Sequence, residues 1–268
     1  MNVKKIKSAA VVLAAGSGKR MKTGRAKQFL TVSDRPVLFY ALDAFEKSMV
    51  DDIILVTGKD DIDFCREEIV EKYGISKVRS IISGGKERYH SVARGLFELD
   101  GDDKKTSDDA AAEIEKNGLK RQSRLKPDIV MIHDGARPFV TAGLINKLLA
   151  GTAEYGACVT GTPVKDTIKV VDSENITVDT PDRKTLWAVQ TPQAFSFDMI
   201  LKAYKELLEK EEKLLEKGIF VTDDSMVLEL MSGVRTKLIE GSYLNIKLTT
   251  PDDLLMAERI LQIVSSNV

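Results

Sequence analysis

The chain has 268 residues, and its 40 Lys and Arg nearly cancel its 41 Asp and Glu, leaving a formal net charge of -1. No global field therefore draws it to nucleic acid or to an anionic membrane, and any anion site has to be local. Two distant cysteines, Cys65 and Cys158, exclude a disulfide framework and fit reduced thiols in a cytoplasmic protein. With only His90 and His133, and no Cys-x-x-Cys spacing, a zinc site is disfavoured, and the metal to expect is a hard, oxygen-bound cation such as Mg²⁺. The lysine-bearing segment 1–8 is followed by an apolar stretch too short to span a membrane.

Short aliphatic runs alternate with longer amphipathic segments, which predicts βαβ units and a mostly parallel sheet in one domain over 1–268. The first strand is expected at 9–14. It breaks into Gly16, Ser17 and Gly18 and then a cationic cluster, Lys19, Arg20, Arg25 and Lys27. Glycines let peptide N–H groups turn toward an anion and the cations add charge, so this reads as a phosphate cradle for a polyphosphorylated ligand; the plainer alternative is an ordinary glycine-rich turn with a solvated basic flank. It is neither a Walker A loop nor a dinucleotide fingerprint, because Met21 stands where the third glycine of the latter belongs. A helix follows at 36–48, a strand at 52–57, a helix at 60–73 and a strand at 77–82. Next comes Gly84-Gly85-Lys86-Glu87-Arg88, with Ser91 in the first turn of a helix over 89–99. Paired glycines expose peptide groups that can read a base edge; the plainer alternative is a simple strand-to-helix connection.

Residues 101–126 are charge-rich and free of aromatics, and read as a surface insertion with a short exposed helix capped by Ser107. The strand expected at 128–133 delivers His133-Asp134-Gly135-Ala136-Arg137-Pro138 to the carboxyl edge of the sheet, where open α/β sheets bind ligands. Asp134 there either caps the next turn or orients Mg²⁺ or a substrate hydroxyl, whereas His133 reads as a packed, hydrogen-bonded residue. After a helix at 142–150 and a strand at 157–163, segments 167–171 and 176–179 flank Asp172-Ser173-Glu174-Asn175 as a projecting β-hairpin, for which a partner subunit is the first candidate to grip. A strand near 185–190 carries Trp187 between Arg183 and Thr191. Helices at 198–217 and 223–231 and a strand at 235–240 precede Asn245-Ile246-Lys247-Leu248-Thr249-Thr250-Pro251. Lys247, read as a strand residue, lies on the face opposite Ile246 and Leu248, which either meets solvent or points into a cleft. Thr250 and Pro251 open the last helix, 251–263.

Leu13-Ala14-Ala15-Gly16-Ser17-Gly18-Lys19-Arg20-Met21, Lys27-Gln28-Phe29, the Asp134 motif, Thr191-Pro192-Gln193, Thr222-Asp223-Asp224 and Asn245-Ile246-Lys247 occur in that order. Together they resemble the 2-C-methyl-D-erythritol 4-phosphate cytidylyltransferase family, a branch of the glycosyltransferase-A-like nucleotidyltransferases. The resemblance implies a single Rossmann-like three-layer α/β domain with a β-hairpin arm. It implies CTP held by Ala14, Ala15, Gly16, Gly18, Lys19, Gly85, Lys86, Arg88, Ser91 and Ala136. Asp134, Arg137, Thr167, Arg183 and Thr191 would hold a sugar-alcohol phosphate. Arg20, Lys27 and Lys247 would stabilise transferred charge, and Mg²⁺ or another divalent cation would bridge the triphosphate with Asp134 as the nearest carboxylate. A homodimer is also implied, with Thr167 and Arg183 serving the partner's site. The insertion at 101–126 and Gly135, where the family often has alanine, depart from the pattern. Competing readings are a cytidylyltransferase for a pentitol phosphate such as ribitol 5-phosphate and a nucleotide-binding regulatory module; a dinucleotide oxidoreductase is disfavoured by Met21. The expected acceptor, a phosphate monoester with a second pKa near about 6, is largely dianionic at neutral pH and requires no general base, consistent with so few histidines.

Overall fold

In the computed structural model, which describes residues 6–16, 26–101 and 126–266, β1 (Ser8–Ala14) is buried except at the half-buried Leu13. Ala10, Val12 and Ala14 enter one core and Val11 another. A strand covered on both faces has no polar side to show, so it reads as an unbroken apolar run. A 3₁₀ turn (Lys27–Phe29) leads into a small hairpin, β2 (Thr31–Val32) and β3 (Arg35–Pro36), which strand periodicity missed because each arm is two residues long. There follow α1 (Val37–Glu46), β4 (Asp52–Thr57) and a helical segment of changing pitch. The helix expected at 60–73 is realised as a 3₁₀ turn (Lys59–Asp61), one α turn, α2 (Ile62–Phe64), and a π-helix (Cys65–Glu71). Next in order are β5 (Val78–Ser83), α3 (Arg88–Asp100), β6 (Ile129–Asp134), α4 (Ala142–Tyr155) and β7 (Ala157–Pro163). The arm is β8 (Val170–Val171) and β9 (Thr177–Asp179), before β10 (Trp187–Ser196), α5 (Phe197–Glu216), α6 (Asp224–Ser232), β11 (Lys237–Glu240) and α7 (Pro251–Ser266). Of the insertion, 102–125 lie outside the described residues.

Seven strands form one sheet in the order β11-β7-β10-β6-β1-β4-β5. Every neighbouring pair is parallel except those of β10, antiparallel to both β6 and β7. α1, the π-helical segment and α4 cover one face, and α3, α5 and α6 the other, so the layers are helix, sheet, helix as the resemblance implied. A third, smaller core seats α7 on Val32, Val37 and Phe139.

β10 is longer than the strand expected near 185–190. Its centre, Gln190-Thr191-Pro192-Gln193, holds a cis Thr191-Pro192 bond and a register shift between Val189 and Gln193, and polar residues interrupt the alternation there. In the arm, Asp172 Oδ1 accepts from the N–H groups of Glu174 and Ile176, both at 2.9 Å, and Asn175 takes a left-handed φ of 64°. This is the side-chain turn chemistry read from Asp172-Ser173-Glu174-Asn175. Ile168, Val170, Val171, Ile176 and Val178 stand exposed along it.

Candidate active site

Register brings the motifs together. β1 and β6 pair in parallel with Leu13 opposite Asp134, so the chain leaving β1 and the chain leaving β6 emerge side by side at one carboxyl edge. Gly135 donates its N–H to the Leu13 carbonyl at 2.8 Å, and a Cβ there would lie 2.9 Å from that oxygen and 2.7 Å from Leu38 Cδ1. Glycine permits this close crossing.

The segment after β1 is held from below by Gln28, a buried side chain whose Nε2 donates to the carbonyls of Ala14 and, at 3.1 Å, Gly16. Lys27, one residue earlier in the same turn, lines the chamber above it, while Phe29 packs edge-on against Phe64 at 5.2 Å. On the far wall the Gly84–Gly85 loop is tied down at each peptide. Gly84 N–H donates to Thr57 O at 2.7 Å, Arg94 donates to Gly84 O at 2.7 Å, and Gly85 N–H donates to Ser91 Oγ at 3.0 Å. Glu87 caps α3 reciprocally with His90, and Glu211 of α5 anchors Tyr89 and His90 at 2.6 and 3.1 Å. Between these walls lies a chamber of about 370 Å³, bordered by Gly16, Lys27, Lys86, Arg88, Asp134 and Lys247. Ala15, Gly85, Ser91 and Ala136 also border it. Ala14 is buried in the sheet and does not. Gly18, Lys19 and Arg20 lie outside the described residues.

A second chamber of about 620 Å³ opens on the other side of Asp134, bordered by Arg137, Gln190, Thr191, Gln193, Asp223 and Glu229 among others. The two share Arg88, Asp134 and Lys247. Asp134 Oδ1 meets Arg88 Nε at 3.1 Å and Oδ2 meets Lys247 Nζ at 2.7 Å. Burial alone would raise the pKa of this carboxyl, but the Arg88 guanidinium and Lys247 ammonium overcome that and hold it well below the usual carboxylate range. Lys247 is not in a strand. Residues 245–250 form no ladder, and the Leu248 N–H donating to Ala136 O at 2.9 Å pins the segment so that Leu248 is buried and Lys247 turns to Asp134. The lysine faces a cleft, as one of the two readings had it.

His133 is fully buried, and burial pushes its imidazole down to about 4. Thr191 Oγ1 accepts the Asp134 N–H at 3.0 Å, which directs its own proton to His133 Nδ1 at 3.1 Å and leaves Nε2–H to donate to Arg137 O at 3.2 Å. The histidine is thus a neutral strut. Arg137 donates to Asn245 O at 2.8 Å, and its buried Nε has no partner among the described residues. Thr167 and Arg183 are exposed on or beside the arm, with Arg183 donating to Lys165 O at 2.6 Å; neither borders either chamber of this chain.

Five residues that brace the site were given no individual role in the sequence reading, although all but Tyr204 stand in the motifs quoted there. Gln28 holds the cradle. Asn245 Nδ2 donates to Thr191 O at 2.9 Å. Gln193 accepts the Ser225 N–H at 2.9 Å and donates to Asp223 at 2.8 Å. Asp224 receives the Arg88 guanidinium through two bonds of 2.9 Å, and Tyr204 donates to the same carboxylate at 2.6 Å. The sequence signal that could have found one of them is a polar side chain inside an apolar strand, visible for Gln193 beside Ala194 and Phe195.

Among the described residues no cluster of three or more His, Cys, Asp or Glu is disposed to hold a metal ion, and both Asp134 oxygens are in ion pairs. This donor set does not fit a cation bound by the protein alone. What the arrangement offers is positive charge, Lys27, Lys86, Arg137 and Lys247, converging from four segments on two joined cavities. That suits the approach of two anions and the stabilisation of charge during group transfer.

The model of the 2-C-methyl-D-erythritol 4-phosphate cytidylyltransferase (IspD) family matches residues 8–112 and 107–263. The protein of that name from Lachnoclostridium phytofermentans is 40% identical over 256 residues, covering 96% of this chain and 97% of the relative. The one from Clostridium acetobutylicum is 42% identical over 254 residues, covering 94% and 96%. In solved structures, the 4-diphosphocytidyl-2C-methyl-D-erythritol synthase of Anaerococcus prevotii matches with a TM-score of 0.74 at 32% identity, covering 96% of each chain. A match spanning both chambers and nearly the full length joins the geometry to one lineage: the chain belongs to the 2-C-methyl-D-erythritol 4-phosphate cytidylyltransferase family.

Proposed function

We propose that the chain transfers the CMP moiety of CTP to 2-C-methyl-D-erythritol 4-phosphate, giving the CDP-linked alcohol and pyrophosphate, a step of non-mevalonate isoprenoid precursor synthesis. The observation that carries this reading is the junction of the two chambers at the Asp134–Lys247 pair, where a buried carboxylate meets a half-buried ammonium. The smaller chamber, between the cradle and the Gly84–Gly85 loop, takes CTP; the larger takes the sugar-alcohol phosphate. An oxygen of the acceptor phosphate attacks the α-phosphorus, a new P–O bond forms, and the bond to the bridging oxygen of the β-phosphate breaks with its electron pair leaving on pyrophosphate. The dianionic acceptor needs no proton removed.

Lys27 and Lys247 hold negative charge on the transferred and leaving oxygens, with Arg20 of the cradle as the third cation. Asp134 holds Lys247 in place through the 2.7 Å ion pair, and Arg137 and Thr191 border the acceptor space. A divalent cation such as Mg²⁺ would come with the CTP substrate and would supply neutralisation of its phosphate charge. The exposed apolar arm supports a homodimer in which Thr167 and Arg183 reach the acceptor space of the neighbouring subunit. No described helix is long and apolar enough to cross a membrane, and we place the enzyme in the cytoplasm. A coupled pyrophosphate-release assay with CTP tests the reading: release with 2-C-methyl-D-erythritol 4-phosphate is expected, and release only with ribitol 5-phosphate would overturn it.

A further inference from the structure

Arg88, at the end of the Gly84–Gly85 loop, is among the residues expected to hold CTP. Arg88 instead commits all three guanidinium nitrogens to carboxylates: Nη1 and Nη2 to Asp224 at 2.9 Å each, and Nε to Asp134 at 3.1 Å. Asp224, the first residue of α6, is fully buried, borders neither chamber, and is further held by the hydroxyl of the fully buried Tyr204 on α5 at 2.6 Å. The result is a chain of alternating charge, Asp224, Arg88, Asp134 and Lys247, running from the core beneath α5 and α6 to the junction of the chambers.

A buried ion pair is weak evidence for stability, since apolar residues of the same volume often serve as well. What two parallel bonds do supply is orientation: they fix the guanidinium plane and therefore the direction of Nε. Nε engages Oδ1 of Asp134, which leaves Oδ2 turned to Lys247. With Asp224 neutralised, the Arg88 guanidinium is no longer locked, the Asp134 carboxylate is drawn toward it, and the Lys247 ammonium loses its aim.

We propose that Asp224 and Tyr204 are positioning residues for CMP transfer, acting through Arg88 on the Asp134–Lys247 pair; the inference rests on the cytidylyltransferase reading above. The test is a double-mutant cycle in the full-length enzyme, with steady-state kinetics and thermal melting on each variant. Asp224→Asn is expected to lower kcat by about 10- to 100-fold, the usual cost of removing a partner that orients a working group, while the apparent constants for CTP and acceptor are kept. Tyr204→Phe lowers kcat in the same direction by less. Combined with Lys247→Ala, Asp224→Asn adds no further loss, because the group it positions is gone.

An unchanged kcat in Asp224→Asn, or losses that multiply in full in the double variant, would overturn the relay. If Asp224→Asn fails to fold, Tyr204→Phe decides, since it removes one hydroxyl and keeps the ring; unchanged kcat there overturns the proposal. A wild-type chain that turns over CTP while the losses multiply refutes the relay alone. A wild-type chain inactive with CTP and 2-C-methyl-D-erythritol 4-phosphate sinks the reaction assignment and the relay with it.

Discussion

Lys247 and Lys27 border the nucleotide chamber from segments 220 positions apart in the numbering, and both are assigned to charge developed during transfer. Lys247→Ala and Lys27→Ala are each expected to lower kcat by about 100- to 1,000-fold, the usual cost of removing one preorganised donor. Lys210, whose ion pair with Glu206 is exposed on α5, is the control: Lys210→Ala leaves turnover unchanged and stability within about 0.5 kcal/mol. Steady-state kinetics beside urea denaturation separate the two classes, and normal turnover in both site variants would remove the mechanism. At this scale the sequence was legible where a residue type is odd for its place, as with Asp134 closing an apolar strand. It was not legible for Tyr204, because an aromatic on the buried stripe of an amphipathic helix reads as core packing, and only its hydroxyl 2.6 Å from Asp224 distinguishes it.

Among elements, α6 shows how a cap and a site share one side chain. Asp223 accepts the Met226 N–H at 2.9 Å as the N-cap, and its second oxygen takes Gln193 Nε2 at 2.8 Å and the Ser225 hydroxyl at 2.7 Å. Asp223→Ala is expected to destabilise the protein by about 1 to 2 kcal/mol, at the upper end for a lost cap because Gln193 also loses its acceptor; a urea midpoint unchanged from the parent would refute this. The arm belongs to the same scale. Its turn was readable from Asp172 and Asn175, but its Ile and Val residues stand exposed, with no cover among the described residues. Replacing 164–180 by a short turn is expected to give monomers in analytical ultracentrifugation and a raised apparent constant for the acceptor, and persistent dimers would count against the arm as the dimer contact. β10 resisted reading because its direction is not written in its residues: antiparallel pairing with β6 and β7 is a property of chain topology, and its polar centre serves the site instead of the alternation.

Across the whole molecule, the buried network ties stability to pH. The unfolded chain takes up a proton at His133 near 6.5 and the folded chain only near 4, so stability is full above that window and declines as pH falls through it, by up to about 3 kcal/mol. Asp134, depressed in the folded state, adds a further loss that begins as pH falls into the ordinary carboxylate range and continues at more acidic pH. Urea unfolding between pH 7.5 and about 4.5 checks this: His133→Gln, which keeps a side chain able to hydrogen-bond, is expected to flatten the decline, and an equal slope in the variant would refute the assignment. By itself the sequence determined the layered α/β class, the Asp134 strand end and the arm, because each depends on periodicity or on turn chemistry within a few residues. The tertiary structure alone decided that Arg88 faces two carboxylates, that Lys247 closes on Asp134, and that two chambers meet there. Those facts follow from strand register and from which buried charges lie within 3 Å of one another, and neither distance nor register is encoded in a local window of residues.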